Sequence, residues 1–216
     1  MMDSGKQHLE TLSEIRSLME RSSKFISLSG LSGVSAGVIA LAGAALAFAY
    51  LDKIPFDGST YRYIQNSVEN GGKWGLEPLS FFALLAAGVM ILAVGAGILF
   101  TTRKARADGQ AIWNTLTKRL LTSLAIPLAT GGIFCLILVA NGDAHLVASS
   151  TLIFYGLALV NASKFTLRDI RYLGLSEIVL GLISMGYIGM SLECWAIGFG
   201  VLHIVYGAVM YYRYDR

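Results

Sequence analysis

The chain is 216 residues long, 55% apolar and only 14% charged, with a mean hydropathy of +0.61. A soluble domain carries about 25% charge, so these figures exclude a water-soluble core of this size. The net charge of +3 does not point to nucleic acid, because the basic residues sit in short segments between apolar runs, the pattern that orients a membrane protein.

Residues 1–25 form a polar but patterned segment. Leu12, Ile15, Met19 and Ile26 recur at helical spacing, and Glu20 and Lys24 make an i,i+4 pair. The expectation is a cytoplasmic amphipathic helix that lies at the membrane interface or leads into the first span. A partner-docking helix is the alternative. No cleavable signal peptide is evident, so the first apolar run is expected to stay as an anchor.

The apolar runs are about 20 residues long, the length that crosses ~30 Å of hydrocarbon. The first is 26–50, where Gly33 and Gly37 form GxxxG one turn after Gly30. Such a face favours close helix contact, here expected inside the chain. Residues 52–78 are the longest polar connection, punctuated by Pro55 and Asn70-Gly71-Gly72. Tyr61, Ile64 and Val68 predict a short helix within it, Trp74 suits the interface, and the whole reads as a cap on the outer surface.

The second span is 79–100, followed by a loop over 101–119 carrying Arg103, Lys104, Arg106, Lys118 and Arg119. These five are read as a topology signal and as contacts to anionic lipid headgroups. The third span is 120–140, kinked by Pro127. Asn141-Gly142-Asp143 turns the chain into the fourth span, 146–164. A basic elbow follows with Lys164, Arg168 and Arg171. The fifth span is 172–190 and the sixth 195–212, joined by a turn at Ser191-Leu192-Glu193-Cys194. These last two helices must then be antiparallel neighbours.

Of the 17 Lys and Arg residues, 14 fall on the side that receives both termini, the 101–119 loop and the elbow; 3 fall on the other. That bias places both ends in the cytoplasm. The fold expected is an all-α, six-helix membrane bundle in one domain, 26–212. The glycine pairs Gly131/Gly156 and Gly174/Gly200, each second glycine preceded by an aromatic (Tyr155, Phe199), hint that the last four spans form two related hairpins.

Ionisable groups inside spans are the strongest chemical clue, because a carboxylate at a helix centre costs about 2.5–3.5 kcal/mol to insert. Glu177 lies in the fifth span with Gly174, Gly181 and Ser184 on its face. His203 lies in the sixth with Ala196, Gly200 and Gly207. Each sits on a stripe of small residues, which faces another helix. A Glu177–His203 contact is reachable within the hairpin. Asn161, near the cytoplasmic end of the fourth span, could join it or instead bond a neighbouring helix. The bland reading is a buried polar pair fixing helix register; the sharper one is a proton- or ion-linked site.

Catalytic templates are missing. There is no HExxH, GxSxG, P-loop or dinucleotide fingerprint. His8, His145 and His203 fall in different compartments, so no three-histidine metal site is expected, nor any cofactor. Cys135 and Cys194 lack CxxC spacing and read as free thiols, with a pairing as the alternative.

The stretches RSSKFISLSGLSGVSAG (21–37), NASKFTLRDIRYLGLSEIVLGL (161–182) and WAIGFGVLHIVYGAVMYY (195–212) resemble a group of bacterial polytopic membrane proteins. Through its glycine-marked hairpins the chain is also distantly similar to the HdeD family of small six-span membrane proteins, from which the long 52–78 connection departs. The resemblance implies a bacterial inner-membrane setting and carries over no catalytic residue. Three function classes remain open to the sequence. The first is a non-enzymatic regulatory, stress-related or scaffold protein acting through a homo-oligomer or a membrane partner. The alternative is a small transporter or channel, proton-linked through Glu177 and His203. The third, an intramembrane enzyme, is disfavoured by the missing catalytic templates.

Overall fold

The structure, a computed structural model, describes residues 29–109 and 112–215. The expected amphipathic segment 1–25 lies outside the described residues, as does the start of the first span. Among the described residues every regular element is helical, and the one β-type pairing is an isolated bridge between Lys73 and Leu76.

Seven helices order the described residues. They are α1 (Gly30–Leu51), α2 (Thr60–Glu69), α3 (Pro78–Ala107), α4 (Thr115–Ala140), α5 (Val147–Ala162), α6 (Asp169–Gly186) and α7 (Ser191–Tyr214). Tight 3₁₀ turns extend α5 at both ends, to Ala144–Phe165, and α7 is π-helical over Ala196–Leu202. Five helices, α1, α3, α4, extended α5 and α7, are long and apolar enough to cross a membrane. The sixth apolar helix, α6, has 18 residues but carries Asp169, Arg171 and Glu177.

Several boundaries differ from the sequence expectation, for local physical reasons. The expected 101–119 loop is mostly helix. Arg103, Lys104 and Arg106 continue α3, where cations in the last turns favour the negative end of the helix dipole. Asn114 starts α4 early by accepting a hydrogen bond from the Thr117 amide at 2.8 Å, an N-cap. The turn expected at Ser191–Cys194 lies instead at 187–190. Ser191–Trp195 is already helical, with Glu193 in the favourable first turn.

Glycine decides which helices pair. An added Cβ at Gly33 would sit 3.0 Å from the Gly207 Cα, and one at Gly37 would sit 2.6 Å from the Gly200 carbonyl. This seam joins α1 to α7. A second seam joins α5 to α6, where Cβ atoms at Gly156 and Gly174 would meet each other's carbonyl oxygens at 2.5 and 2.7 Å. At Gly181 a Cβ would meet Ile153 of α5 at 2.7 Å. Both seams bring backbones together as small residues do in membrane bundles. Each small-residue stripe does face another helix, but a different one: the Gly174/Gly181 stripe packs on α5 and the Gly200/Gly207 stripe packs on α1. Helices α6 and α7 touch through what lies between those stripes.

Helix α3 leans on α1, with Gly43 against Val89, and α4 leans on α5, with Gly131 against Phe154. Both outer helices leave most of their apolar surface uncovered; Leu84, Met90 and Ile98 of α3 and Ile126, Ile133 and Leu136 of α4 are all exposed. The central four helices, α1, α5, α6 and α7, hold the core. At one end the core is apolar, built from Leu159, Leu167, Ile170, Leu173 and Met210. At the other, Tyr50 stacks on Phe81 at 3.8 Å and donates to the Leu76 carbonyl at 2.7 Å, pinning the 52–78 connection across the helix ends. The expected short helix within that connection is α2, and Gly71 and Gly72 turn at positive φ.

Candidate functional site

Helices α6 and α7 bring Glu177 and His203 together. Glu177 of α6 and His203 of α7 are buried, with Glu177 Oε1 3.4 Å from His203 Nδ1. Glu177 is eight residues into α6, roughly 12 Å from the helix start and deeper than the sequence boundaries placed it. Its room comes from Gly198, where a Cβ would collide with Glu177 Oε2 and stand 2.5 Å from Leu152.

The imidazole has a readable proton pattern. Nδ1 lies 3.0 Å from the Gly198 carbonyl, which can only accept, so Nδ1 carries hydrogen. Nε2 lies 2.8 Å from the Tyr155 hydroxyl. In the neutral ring Tyr155 donates to Nε2; in the imidazolium Nε2 donates and the hydroxyl turns to accept. Phe199 stacks beside the ring at 5.9 Å, and Tyr155 lies at 5.3 Å. Because Nδ1–H points to Gly198, Glu177 meets His203 through space, and neither of its carboxyl oxygens has a hydrogen-bond partner.

Chemically the pair offers two places where a proton can sit, the Glu177 carboxyl and the His203 imidazole. With one proton shared between carboxyl and imidazole the pair is neutral overall, whichever partner holds it. A second proton leaves +1 in the core, and loss of the first leaves −1. Each such change is large where solvent is absent, since an unpaired buried charge costs several kcal/mol.

Asn161 does not belong to this cluster. Its amide nitrogen donates to the Ser123 carbonyl of α4 at 2.8 Å, and its oxygen accepts from Lys164 at 3.2 Å. The reason lies in Pro127 of α4. A proline has no N–H to give the carbonyl four residues back, which is that of Ser123. Asn161 supplies the missing donor from the neighbouring helix, the repair that prolines in membrane helices require.

Sequence reasoning missed a second buried set, at the end capped by residues 52–78. Lys53, just past α1, forms an ion pair with Glu193 of α7, both side chains being almost fully enclosed. Lys53 Nζ also lies 3.1 Å from Asp57, and the Phe56 amide donates to the same Glu193 oxygen at 2.9 Å. Thr60 donates to the Gly189 carbonyl at 2.6 Å. These bonds fasten the connection to the 187–195 corner. Burial pushes the Asp57 carboxyl up, but hydrogen bonds from Ser59, Lys53 and Tyr63 outweigh it and hold the group well below the usual carboxylate range. The available signal was a lysine directly after an apolar run and a lone glutamate between two others.

Between these sets run further buried polar side chains. Ser149 and Ser184 share a hydrogen bond at 2.7 Å, and Ser150 and Ser191 are buried near the same helix ends. Ser184 lies two turns beyond Glu177 on the same face of α6. Both cysteines are free thiols. Of the five cations read as lipid contacts, Lys104 has a protein partner, the Tyr214 carbonyl at 3.3 Å, and Arg103, Arg106, Lys118 and Arg119 are exposed. Among the described residues no group of acids, histidines and cysteines could hold a metal. Comparison of the chain with family models, with curated proteins and with solved structures returns no match.

Proposed function

We propose that the chain is a six-span protein of a bacterial inner membrane, with α6 as the fifth crossing and both termini cytoplasmic. Its work is regulatory or stress-related rather than catalytic, and the buried Glu177–His203–Tyr155 cluster is its proton-responsive element. The observation that carries this reading is the Glu177 carboxyl, wholly enclosed, without a hydrogen bond, and 3.4 Å from an imidazole. A group kept in such a place inside a membrane span usually has a task. The supports for the orientation are the 14 to 3 split of Lys and Arg and the apolar character of the helices. The uncovered faces of α3 and α4 leave room for a second copy or a membrane partner.

The test is a double-mutant cycle. Glu177→Gln, His203→Gln and the pair are compared by thermal unfolding in detergent from pH 5 to 8. Non-additive losses that change with pH are expected. Additive losses that ignore pH would reduce the pair to two structural residues. Reporter fusions at Gly72, Gly109, Gly142 and the C-terminus test the topology; an outer signal at Gly109 or the C-terminus overturns it.

A transporter is the second reading. It is favoured by the polar side chains between the Lys53–Glu193 pair and Glu177, and opposed by the apolar core on the other side of the cluster. Vesicles loaded with a pH-sensitive dye separate the two: proton movement that Glu177→Gln abolishes supports transport, and a tight membrane supports the regulatory reading.

A further inference from the structure

A groove of about 430 Å³ opens at the start of α4, lined by Thr115, Lys118, Arg119, Thr122, Ser123 and Phe165. Two of these side chains are cations, two are exposed hydroxyl-bearing threonines, and none is a carboxylate. A third cation, Lys164, directly precedes Phe165 of the lining. Lys164 is tied to Asn161, which is tied in turn to the Ser123 carbonyl on the groove floor. The same repair of the Pro127 gap therefore fixes where Lys164 sits. Below the groove the α4 surface is apolar and uncovered, with Leu121 and Ile126 exposed, while Phe165 forms the opposite wall.

We propose that this groove binds the phosphate of an anionic phospholipid from the adjoining leaflet. Lys118, Arg119 and Lys164 neutralise the phosphodiester, Thr115 donates to one of its oxygens, and the acyl chains lie along the apolar face of α4, while the Thr122 hydroxyl stays bonded to the Lys118 carbonyl at 2.9 Å. Charge complementarity selects the occupant, because a zwitterionic headgroup brings its own cation into a site that already holds three. The cations of α3 differ: Arg103 and Arg106 are exposed and stand outside the lining of this groove, and Lys104 is engaged with the end of α7. The proposal rests on the membrane reading of the chain, and it narrows the general attraction of basic segments for anionic lipid to one built site.

The full chain is reconstituted into vesicles of phosphatidylglycerol and phosphatidylcholine in equal parts, re-extracted in mild detergent, and its retained lipid is measured by native mass spectrometry. The wild-type protein should keep phosphatidylglycerol in preference, and this readout needs no variant. Lys118→Gln and Arg119→Gln should each lower that preference about fivefold, the effect of one cation at the surface. Arg103→Gln with Arg106→Gln should leave it unchanged. Equal retention of both lipids by the wild type overturns the site. So does a matching loss in the α3 variant, or displacement of the lipid by inorganic phosphate at millimolar concentration, which would mark a free-anion site instead. Failure of the chain to enter vesicles at all would count against the membrane reading itself and is a separate result.

Discussion

In the seam between α1 and α7, Gly33, Gly37 and Gly207 touch the backbone of the partner helix; on α3, a Cβ at Gly88, Gly95 or Gly97 would meet nothing among the described residues. Both helices are written in the same alphabet of Gly, Ala, Leu and Val, but α1 repeats glycine at intervals of three and four (Gly30, Gly33, Gly37) and α3 at intervals of seven and two. Spacing and partner differ together. A glycine on α1 meets another glycine, and two backbones close up; a glycine on α3 meets open surface. The central four helices are held by backbone close approach and by fully buried polar pairs; the outer two lean on them through side chains, at Gly43–Val89, at Gly131–Phe154 and through the Asn161–Ser123 bond.

That contrast can be broken most sharply at the Lys53–Glu193 pair. Lys53→Met leaves an enclosed carboxylate unpaired and should cost about 3–5 kcal/mol in unfolding free energy. Adding Glu193→Leu should recover most of the loss. If the single variant unfolds like the wild type in a detergent melt, the pair is not holding the 52–78 connection. Next comes Gly207→Ala. Its methyl would stand 2.5 Å from the Val34 amide nitrogen, so α1 and α7 must separate, at about 1–3 kcal/mol. Asn161→Ala should cost about 1 kcal/mol in the natural sequence. In a Pro127→Ala background it should cost almost nothing, because the restored amide serves the Ser123 carbonyl. An equal cost in both backgrounds would show that the two residues are independent. The smallest effect belongs to α3. Gly95→Ala should stabilise by up to about 1 kcal/mol, since alanine is the better helix former and meets no neighbour. The same substitution thus changes sign between the two regions, and a loss at Gly95 would reveal a contact made by something beyond the described residues.

The apolar runs were legible because a span needs about 20 residues, and that length is unmistakable in sequence. So was the Glu177–His203 meeting, since two polar groups in adjoining antiparallel helices have few other places to go. The seams were not. Gly174, Gly181, Gly200 and Gly207 announce close packing but not with whom, and here the partners are α5 and α1. The Lys53–Glu193 pair escaped for a related reason. Its members are 140 residues apart, and each looked like an ordinary connection residue when read beside its own neighbours. Asn161 was open to two readings until Pro127 could be seen to leave a carbonyl free beside it.

The wide turns over Ala196–Leu202 act as a phase shifter in the last helix. A regular α-helix advances about 100° per residue, so one extra residue in a π-type turn rotates everything beyond it relative to everything before. Ahead of the shift, Glu193 looks toward Lys53; within it, Gly198 faces Glu177; beyond it, His203 meets Tyr155 while Gly207 meets α1. One helix thereby serves three neighbours that a single straight face could not reach together. Deleting any one residue from this stretch would bring the two halves back into phase, and would separate either the outer ion pair or the glycine seam from its counterpart. The length of this segment, as much as its composition, is thus what the architecture depends on.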